Sequence, residues 1–239
     1  MSRPSRPVRL KRIAAPAPNT RHLIMEVADS QPFDFEPGQH VCLSATVNGE
    51  RIDRYYSIAS EPDGRGVFEL CVKPVGDGSP FGDYLAQVKP GETFECAAPG
   101  GSFRLANTAR DAIFLAAGTG ITPLRAMLRH SLATNGVSGP ELTLIFGARQ
   151  PEELYFRDEF ETLAQTRKNF NFWPTISGPP NDWPGRRGRV QQHLQEALGN
   201  RLTGVDVYLC GPKAMVDDVR AALTASGFDE RAVHYEKYG

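Results

Sequence analysis

The chain has 239 residues, of which 40% are hydrophobic and 23% are charged, and its formal net charge at pH 7 is −1. This composition is typical of a soluble globular protein, and the balanced charge gives no indication of a nucleic-acid or anionic-lipid partner. The longest apolar run, around residues 112–117, is far shorter than the ~20 residues that a membrane-spanning helix needs. We therefore expect a cytoplasmic protein without a membrane partner, and a monomer.

Residues 1–105 are predicted to form one domain of antiparallel strands. Short segments of alternating apolar and polar residues are separated by turn dipeptides such as Asn48-Gly49 and Asp63-Gly64. The predicted strands cover residues 8–14, 22–28, 40–47, 51–60, 67–75 and 92–98, with a helix at residues 81–88 before Pro90-Gly91. Strands at this spacing predict a small antiparallel Greek-key barrel.

Residues 106–239 are predicted to form a second domain, in which strands and helices alternate. The predicted strands cover residues 112–118, 142–148, 170–177, 206–211 and 233–235, and the predicted helices cover residues 122–132, 155–165, 190–198 and 213–227. This alternation predicts a Rossmann-like parallel sheet with helices on both faces. A cleft between two such domains is a natural ligand site.

The turn Gly118-Thr119-Gly120 lies between a predicted strand and a predicted helix. Two glycines allow a ligand to approach the backbone, and the following helix N-terminus attracts a phosphate. Pro123 suits the first helical turn, because its missing N–H is not needed there. Pro123 also stands where the dinucleotide fingerprint has its third glycine, so a tight turn without a ligand remains an alternative.

Two further segments suit a ligand. Cys210 lies at the carboxyl end of a predicted parallel strand, where open α/β sheets bind ligands, although a lone cysteine is more often a small buried apolar residue. Strand alternation places Arg54 and Tyr56 on one face and Tyr55 and Ser57 on the other. An arginine beside an aromatic ring suits a ligand with a phosphate and a flat ring, and the alternative is a cross-strand surface pair.

The four cysteines, Cys42, Cys71, Cys96 and Cys210, are far apart in sequence. Neither they nor the five histidines have the spacing of zinc or iron–sulfur ligands, so we expect no metal in this chain.

In this order the motifs R-x-Y-S, G-T-G-x-T-P and C-G-P-x-x-M, followed by an acid between aromatics, resemble the ferredoxin–NADP reductase family. That family also includes the flavin and nicotinamide modules of oxygenase reductases. The resemblance covers residues from about 22 to 239. It implies an enzyme that moves a hydride from NAD(P)H to bound FAD and then passes single electrons to a [2Fe-2S] ferredoxin, a flavodoxin or an oxygenase component.

The resemblance assigns the FAD contacts to the first domain. Arg54 would bind the pyrophosphate, Tyr56 would pack on the isoalloxazine, and Ser57 would lie near flavin N5 as a catalytic residue. The other implied flavin-binding residues are Tyr55 on the same strand, Cys71, Val72 and Lys73 along the ring edge, and Gly82 near the phosphate. Gly82 stands where family members usually carry a serine.

The resemblance assigns the nicotinamide contacts to the second domain. Cys210 would bring the nicotinamide to the flavin, and Glu236 would relay a proton, the alternative for Glu236 being a solvated carboxylate. Tyr238 would lie against the flavin ring, where the nicotinamide must stack, and would move aside for it. The remaining implied residues are Gly118, Thr119, Gly120, Thr122 and Pro123 at the pyrophosphate, Gly211 and Pro212 beside the nicotinamide, and Arg149 near the adenosine ribose.

The sequence leaves the nucleotide and the reaction open. Candidate cations for the 2′-phosphate of NADPH are Arg149, Arg186, Arg187 and Arg189, and the alternative for residues 185–189 is a solvated loop that caps the next helix. Gly178, where NADPH-dependent relatives often carry arginine, favours NADH. A free-flavin reductase and a non-catalytic electron-transfer subunit are alternative functions. The aromatic residues near Glu236 argue against the first alternative. Non-catalytic electron-transfer subunits commonly have an additional cysteine cluster, which this sequence lacks.

Overall fold

The computed structural model describes residues 5–29, 32–73 and 79–238. The chain divides into two compact units. The first takes the described residues up to Leu105 together with Arg125–His130, and the second takes Ala106–Leu124 and the described residues from Ser131 onward. Because a six-residue helical segment belongs to the first unit, the predicted boundary after residue 105 stays a prediction.

The first unit is built on a six-stranded antiparallel sheet. Its strands are β1 (Ser5–Ala14), β2 (Arg21–Val27), β3 (His40–Val47), β4 (Glu50–Ser57), β5 (Val67–Val72) and β6 (Thr93–Ala97). They lie in the order β4-β3-β6-β1-β2-β5, and a bridge between Ile58 and Leu70 joins the ends of the two outer strands. The predicted antiparallel domain is confirmed.

Alternation along these strands determines which side chains fill the core of the first unit. In β1, Val8 and Leu10 are fully buried while Arg9 and Lys11 are exposed. Helix α1 (Pro80–Gln87) adds Phe81 and Leu85, which lie four residues apart and therefore on one helical face. The helix begins at Ser79, whose hydroxyl accepts a hydrogen bond from the Gly82 amide.

The second unit is built on a six-stranded parallel sheet. Its strands are β7 (Asp111–Ala117), β8 (Leu142–Ala148), β9 (Phe170–Ile176), β10 (Arg186–Arg187), β11 (Val205–Pro212) and β12 (Val233–Tyr238), in the order β10-β9-β8-β7-β11-β12. The helices between them are α2 (Ile121–Asn135), α3 (Arg157–Thr166), α4 (Leu194–Leu198) and α5 (Lys213–Ala225). The strand order reverses direction between β7 and β11, and such a switch point is where open α/β sheets bind ligands.

Several elements differ from the sequence-based expectation. Strand β10 lies in the segment interpreted as a solvated loop, because a two-residue strand between Gly185 and Gly188 carries no periodicity. The predicted helix at residues 190–198 begins as a 3₁₀ turn (Val190–His193) before α4. Strand β5 ends at Val72, and residues 74–75 of its predicted range lie outside the described residues.

Strand β12 is also longer than predicted, since it continues to Tyr238. It pairs in parallel with β11, which places Glu236 opposite Cys210 and Tyr238 opposite Pro212. The final strand therefore carries two of the predicted site residues in regular backbone pairing. None of the helices in the described part of the chain has the length and apolar character to cross a bilayer.

Candidate cofactor sites

In the second unit, two turns that were predicted to bind the nicotinamide nucleotide meet at the switch point of the parallel sheet. The 3₁₀ turn Gly118–Gly120 follows β7, and Cys210 and Gly211 lie near the end of the neighbouring strand β11. A Cβ atom added to Gly120 would lie 2.0 Å from the Cys210 carbonyl oxygen. The two turns are therefore in direct backbone contact, and only glycine fits at position 120.

The beginning of α2 has the properties of an anion site. No side chain caps this helix end, and no acidic residue lies in its first turn. Thr122 lies in this turn, and its Oγ1 is buried without a hydrogen-bond partner among the described residues. Gly118 adopts φ +56°, and the space that a Cβ would occupy there is open. A positive helix end without an acidic residue and an unsatisfied hydroxyl fit the pyrophosphate of a dinucleotide.

Cys210 is fully buried. Its thiol donates a hydrogen bond to the Tyr238 hydroxyl at 3.1 Å. Burial, reinforced by the nearby Glu236 carboxylate, raises the pKa of the Cys210 thiol well above its ordinary value. The thiol therefore stays protonated at neutral pH, and it can donate a hydrogen bond but not act as a thiolate nucleophile.

Tyr238 connects the two turns through its hydroxyl group. Besides accepting from Cys210, the hydroxyl donates to the Thr119 carbonyl oxygen at 3.2 Å. The Tyr238 side chain is half-buried, as is that of Glu236 on the same strand. The structure thus gives Tyr238 a bridging position that the sequence did not indicate, while its expected contact with the flavin stays a prediction.

Gly211 and Pro212 complete the turn after Cys210. A Cβ added to Gly211 would approach the Met215 Cε atom to 2.9 Å and the Ala117 amide nitrogen to 3.3 Å. Gly211 is therefore closely packed between the end of β7 and the first turn of α5. Pro212 is exposed and immediately precedes α5.

Arg149 lies at the carboxyl end of β8, where the adenosine ribose was expected. Its side chain is exposed, and its carbonyl oxygen accepts a hydrogen bond from the Gly178 amide at 3.1 Å. The Glu153 carboxylate accepts a hydrogen bond from the Arg149 amide at 3.1 Å. Arg149 and Gly178 are therefore neighbours at one edge of the sheet.

Two of the four candidate cations for a 2′-phosphate have structural partners. The Arg186 guanidinium lies 4.0 Å from the centroid of the Trp173 ring and forms a two-point ion pair with Glu196. Arg187 Nη2 donates to the carbonyl oxygens of Pro180, Asn181 and Trp183, at 2.9 to 3.2 Å. Both side chains organise the surrounding loop, although Arg187 is exposed, as are Arg149 and Arg189.

In the first unit, the predicted flavin residues of β4 lie on an outer strand of the sheet. Arg54 is exposed and donates to the neighbouring Asp53 carbonyl oxygen at 2.9 Å. Tyr56 is half-buried and lies nearly parallel to Phe81, with ring centroids 6.4 Å apart. An exposed guanidinium on the same strand face as a half-buried ring fits a ligand with a phosphate and a flat aromatic system.

The two other β4 residues occupy the opposite face of the strand. Ser57, the last residue of β4, is half-buried. Tyr55 is 63% exposed, and its ring meets the His40 ring edge-on with centroids 5.3 Å apart. The structure therefore separates Tyr55 from Arg54 and Tyr56, although the predicted flavin contacts include all four residues.

The remaining predicted flavin residues lie on β5 and α1. Cys71 and Val72 are buried, and burial raises the pKa of the Cys71 thiol to about 12. Lys73 is exposed just after the strand. The Gly82 amide donates to Ser79 Oγ at 3.4 Å, so a hydroxyl is present three residues before Gly82. Sequence reasoning missed Ser79, although a serine followed by Pro80 is a signal for the start of a helix.

Sequence reasoning also missed a partly buried ionic cluster next to the β4 and β5 residues. Arg125 of α2 pairs with Glu69 of β5, and Glu69 in turn contacts His22 of β2. The available signals were a glutamate inside the apolar strand 67–72 and an arginine inside an apolar stretch of helix. Neither residue matches a known motif, so no sequence pattern connects them.

Comparison with known proteins matches two parts of the chain to oxidoreductase domains. Residues 7–105 match the model of the oxidoreductase FAD-binding domain, and residues 114–221 match that of the oxidoreductase NAD-binding domain. The chain is 38% identical to ferredoxin–NADP reductase B of Sorangium cellulosum over 96% of each chain. It is 34% identical to the toluate 1,2-dioxygenase electron transfer component of Pseudomonas putida, over 92% of this chain and 63% of that protein.

A solved structure shows the same fold over nearly the whole length. The flavohem-like FAD/NAD-binding domain of nitric oxide dioxygenase from Vibrio cholerae superimposes with a TM-score of 0.87 at 27% identity. The match covers 99% of this chain and 100% of that one. Both domain models match, a relative is matched over 96% of its length, and the fold is the same. The chain therefore belongs to the ferredoxin–NADP reductase family of oxidoreductases that use FAD and NAD(P)H.

Proposed function

We propose that this enzyme oxidises NAD(P)H and passes the electrons one at a time to a protein acceptor. The observation that carries the proposal is the contact of Gly120 with the Cys210 carbonyl oxygen, because it brings together, at one edge of the sheet, the two turns that we propose bind the nucleotide. When bound, FAD supplies the chemistry, since it accepts a hydride and can release electrons singly. The protein supplies binding, orientation and electrostatics.

On the second unit, each residue of the switch point has a proposed role in binding the nucleotide. The amides of the Gly118–Gly120 turn and the Thr122 hydroxyl bind the pyrophosphate, and Pro123 keeps the first turn of α2 in helical geometry. The Cys210 thiol forms a neutral, polarisable wall for the nicotinamide together with Gly211 and Pro212. Glu236 holds or relays a proton in the reaction.

On the first unit, Arg54 binds the FAD pyrophosphate and Tyr56 packs against the flat ring. Ser57 offers a hydroxyl to the reactive edge of the ring, while Cys71, Val72 and Lys73 line its other edge. At the start of α1, Ser79 and the Gly82 backbone bind the phosphate, and Ser79 replaces the hydroxyl expected at position 82. Tyr55 is proposed to border the same site from the other strand face.

The proposed acceptor is a [2Fe-2S] ferredoxin, a flavodoxin or an oxygenase component. The names of the two relatives described above support this class, since one is a ferredoxin–NADP reductase and the other an electron transfer component of a dioxygenase. The cytoplasmic location and the monomeric state expected from the sequence stay predictions.

We propose NADH as the preferred donor. Arg186 and Arg187 form ion-pair, ring and carbonyl contacts within the protein, which leaves Arg149 and Arg189 as exposed cations on this loop and sheet edge. A 2′-phosphate is best bound by two or more donors in a fixed fork. Among the hydrogen bonds described above, none holds the side chain of Arg149 or Arg189 in such a geometry.

The proposed function is tested with purified protein under anaerobic conditions. We expect yellow colour that survives gel filtration, bleaching on addition of NADH, and then reduction of members of a panel of ferredoxins and flavodoxins. A colourless protein that is active only with added flavin would instead indicate a free-flavin reductase. Bound flavin that neither NADH nor NADPH bleaches would indicate a non-catalytic subunit.

A further inference from the structure

The first unit contains a buried arginine that binds two strand-end segments at once. Arg125 is 3% exposed. Its Nη1 group donates to the Ala59 carbonyl oxygen at 2.8 Å and to Glu69 Oε2 at 2.7 Å. Ala59 follows β4, and Glu69 lies within β5, so a single guanidinium nitrogen joins the two outer strands of the sheet.

Glu69 is the centre of this cluster. Its Oε2 atom also lies 2.8 Å from His22 Nε2, and its carbonyl oxygen accepts from the Ala59 amide at 2.7 Å. Its own amide donates to Ser60 Oγ at 3.1 Å. Burial opposes the charge of Glu69, but the contacts with His22 and Arg125 outweigh it and lower the pKa of the carboxyl to about 2. The carboxylate is therefore charged throughout the neutral range.

The cluster lies directly beside residues that we propose to contact FAD. Ala59 is two residues after Ser57, and Glu69 is two residues before Cys71. Between these pairs, Ile58 and Leu70 form the bridge that joins β4 to β5. Ala59 is separated from Ile58 by one peptide bond and from Ser57 by two, so a shift of the Ala59 backbone also moves these residues.

We propose that Arg125 is a positioning residue for the flavin site. By holding the Ala59 carbonyl oxygen and the Glu69 carboxylate together, it fixes the register of the end of β4 against β5, and thereby the direction in which Ser57 and Cys71 face the ring. The inference rests on the proposed FAD contacts of these two residues.

A purely stabilising role would not require this arrangement. Buried ion pairs can often be replaced by apolar side chains of similar volume without loss of stability, because desolvation offsets much of the attraction. What an apolar side chain cannot replace is directional bonding to two acceptors on different segments. Lysine keeps the charge but lacks the rigid fork of arginine, so R125K separates charge from geometry.

The test compares R125M and R125K with R129M in FAD-loaded protein. Arg129 is a matched control, because it lies one turn further along the same helix and pairs with Glu61, while its side chain is 34% exposed. We expect each Arg125 variant to raise the Kd for FAD about 10-fold. Each should also lower kcat about 10-fold in the assay with NADH as donor and ferricyanide as acceptor, since small misplacements of reacting groups are costly. The flavin absorption bands should also shift. R129M should stay within about twofold of the wild type, as for other partly exposed pairs.

Hydrogen exchange gives a readout that does not depend on flavin. In flavin-free protein, amides of residues 58–60 and 69–71 should exchange faster in both Arg125 variants than in R129M. If the wild type binds no FAD, the proposed function fails while this exchange pattern still decides whether Arg125 orders the strand ends. If the wild type binds and reduces FAD but the Arg125 variants match it in exchange, Kd and spectrum, the inference is overturned. Wild-type values in R125K would also overturn the inference. If R125M does not fold, R125K still provides the test, because lysine retains the buried charge.

Discussion

The switch-point turns of the second unit and the ionic cluster of the first unit are built in opposite ways. At the switch point, Gly120 lies against a carbonyl oxygen so closely that one added methyl group would overlap it. In the cluster, the contacts are made by the long side chains of Arg125, Glu69 and His22. The first region is controlled by steric repulsion between backbones, and the second by charge and hydrogen-bond direction.

This difference determines how each region can fail. Steric repulsion rises steeply as two atoms come closer and does not depend on pH or salt, so the switch point should tolerate almost no change at Gly120. A charge cluster weakens gradually as its groups are protonated or replaced, and its buried pair is screened little by salt. Variants in the two regions should therefore differ both in the size of their effects and in their pH dependence.

The largest effect is expected for Gly120→Ala. Because its Cβ would lie 2.0 Å from the Cys210 oxygen, β11 or the turn must move. We expect a loss of ~3 kcal/mol or more in the free energy of unfolding, as for other severe overpacking, and a rise of about 100-fold in KM for NADH. Urea unfolding and steady-state kinetics measure both.

Gly118→Ala and Gly204→Ala are the controls for this prediction. Both glycines have positive φ, +56° and +77°, and open space where a Cβ would lie. Each substitution should therefore cost only the ~1 kcal/mol of a left-handed alanine. If Gly120→Ala is no more destabilising than Gly204→Ala, the close backbone contact at the switch point is not what the site depends on.

The second effect is a pH dependence of stability caused by Glu69. Its carboxyl has a pKa of about 2 in the folded protein, against an ordinary value of 4.5. Because the pKa is lower in the folded protein, ionised Glu69 adds to the free energy of unfolding. This contribution is complete above pH 4.5 and is lost as the pH falls toward 2, and its maximum is on the order of 3 kcal/mol.

Urea unfolding at pH 6, 4 and 3 measures this contribution in wild type and Glu69→Gln. The wild type should lose more stability on acidification than Glu69→Gln does. Glu61→Gln is the matched control, since it removes the carboxylate that pairs with Arg129. Parallel pH curves for the wild type and Glu69→Gln would show that the cluster is not held by the carboxylate.

A smaller effect is expected for Tyr238→Phe. This variant removes the hydroxyl that connects Cys210 to the Thr119 carbonyl oxygen and leaves the ring in place. We expect KM for NADH to rise about threefold, the effect of losing one net hydrogen bond. Tyr235→Phe, on the same strand but 40% exposed, should change nothing. A fall in KM for Tyr238→Phe would mean that the hydroxyl hinders the nucleotide instead of ordering its turn.

A comparably small effect, confined to NADPH, is expected for Arg149→Ala. If Arg149 is the cation nearest to a 2′-phosphate, kcat/KM for NADPH should fall about fivefold, as for one exposed charged contact, while the value for NADH stays within about twofold. Arg187→Ala should lower both values equally, because Arg187 organises the loop through Pro180, Asn181 and Trp183. Equal losses with both nucleotides for Arg149→Ala would remove Arg149 from the specificity site.

The sequence predicted the two folds and much of the nucleotide site because those features are local. Strands β3 and β8 were predicted over the residues that form them, since alternating or continuous apolar runs are bounded by turn residues within a few positions. Gly118 and Gly120 were found for the same reason: a glycine pair between a strand and a helix is visible without knowing what it touches.

The tertiary structure alone decided which distant groups meet. Gly120 contacts Cys210 because β7 and β11 are neighbours in the sheet, and Arg125 reaches Glu69 across 56 residues of sequence. Tyr238 joins Thr119 to Cys210 because β12 continues beyond its predicted end. Periodicity determines which side of a strand or helix a residue occupies, but the order of strands determines its neighbours. The contacts that depend on that order could not be read from the sequence.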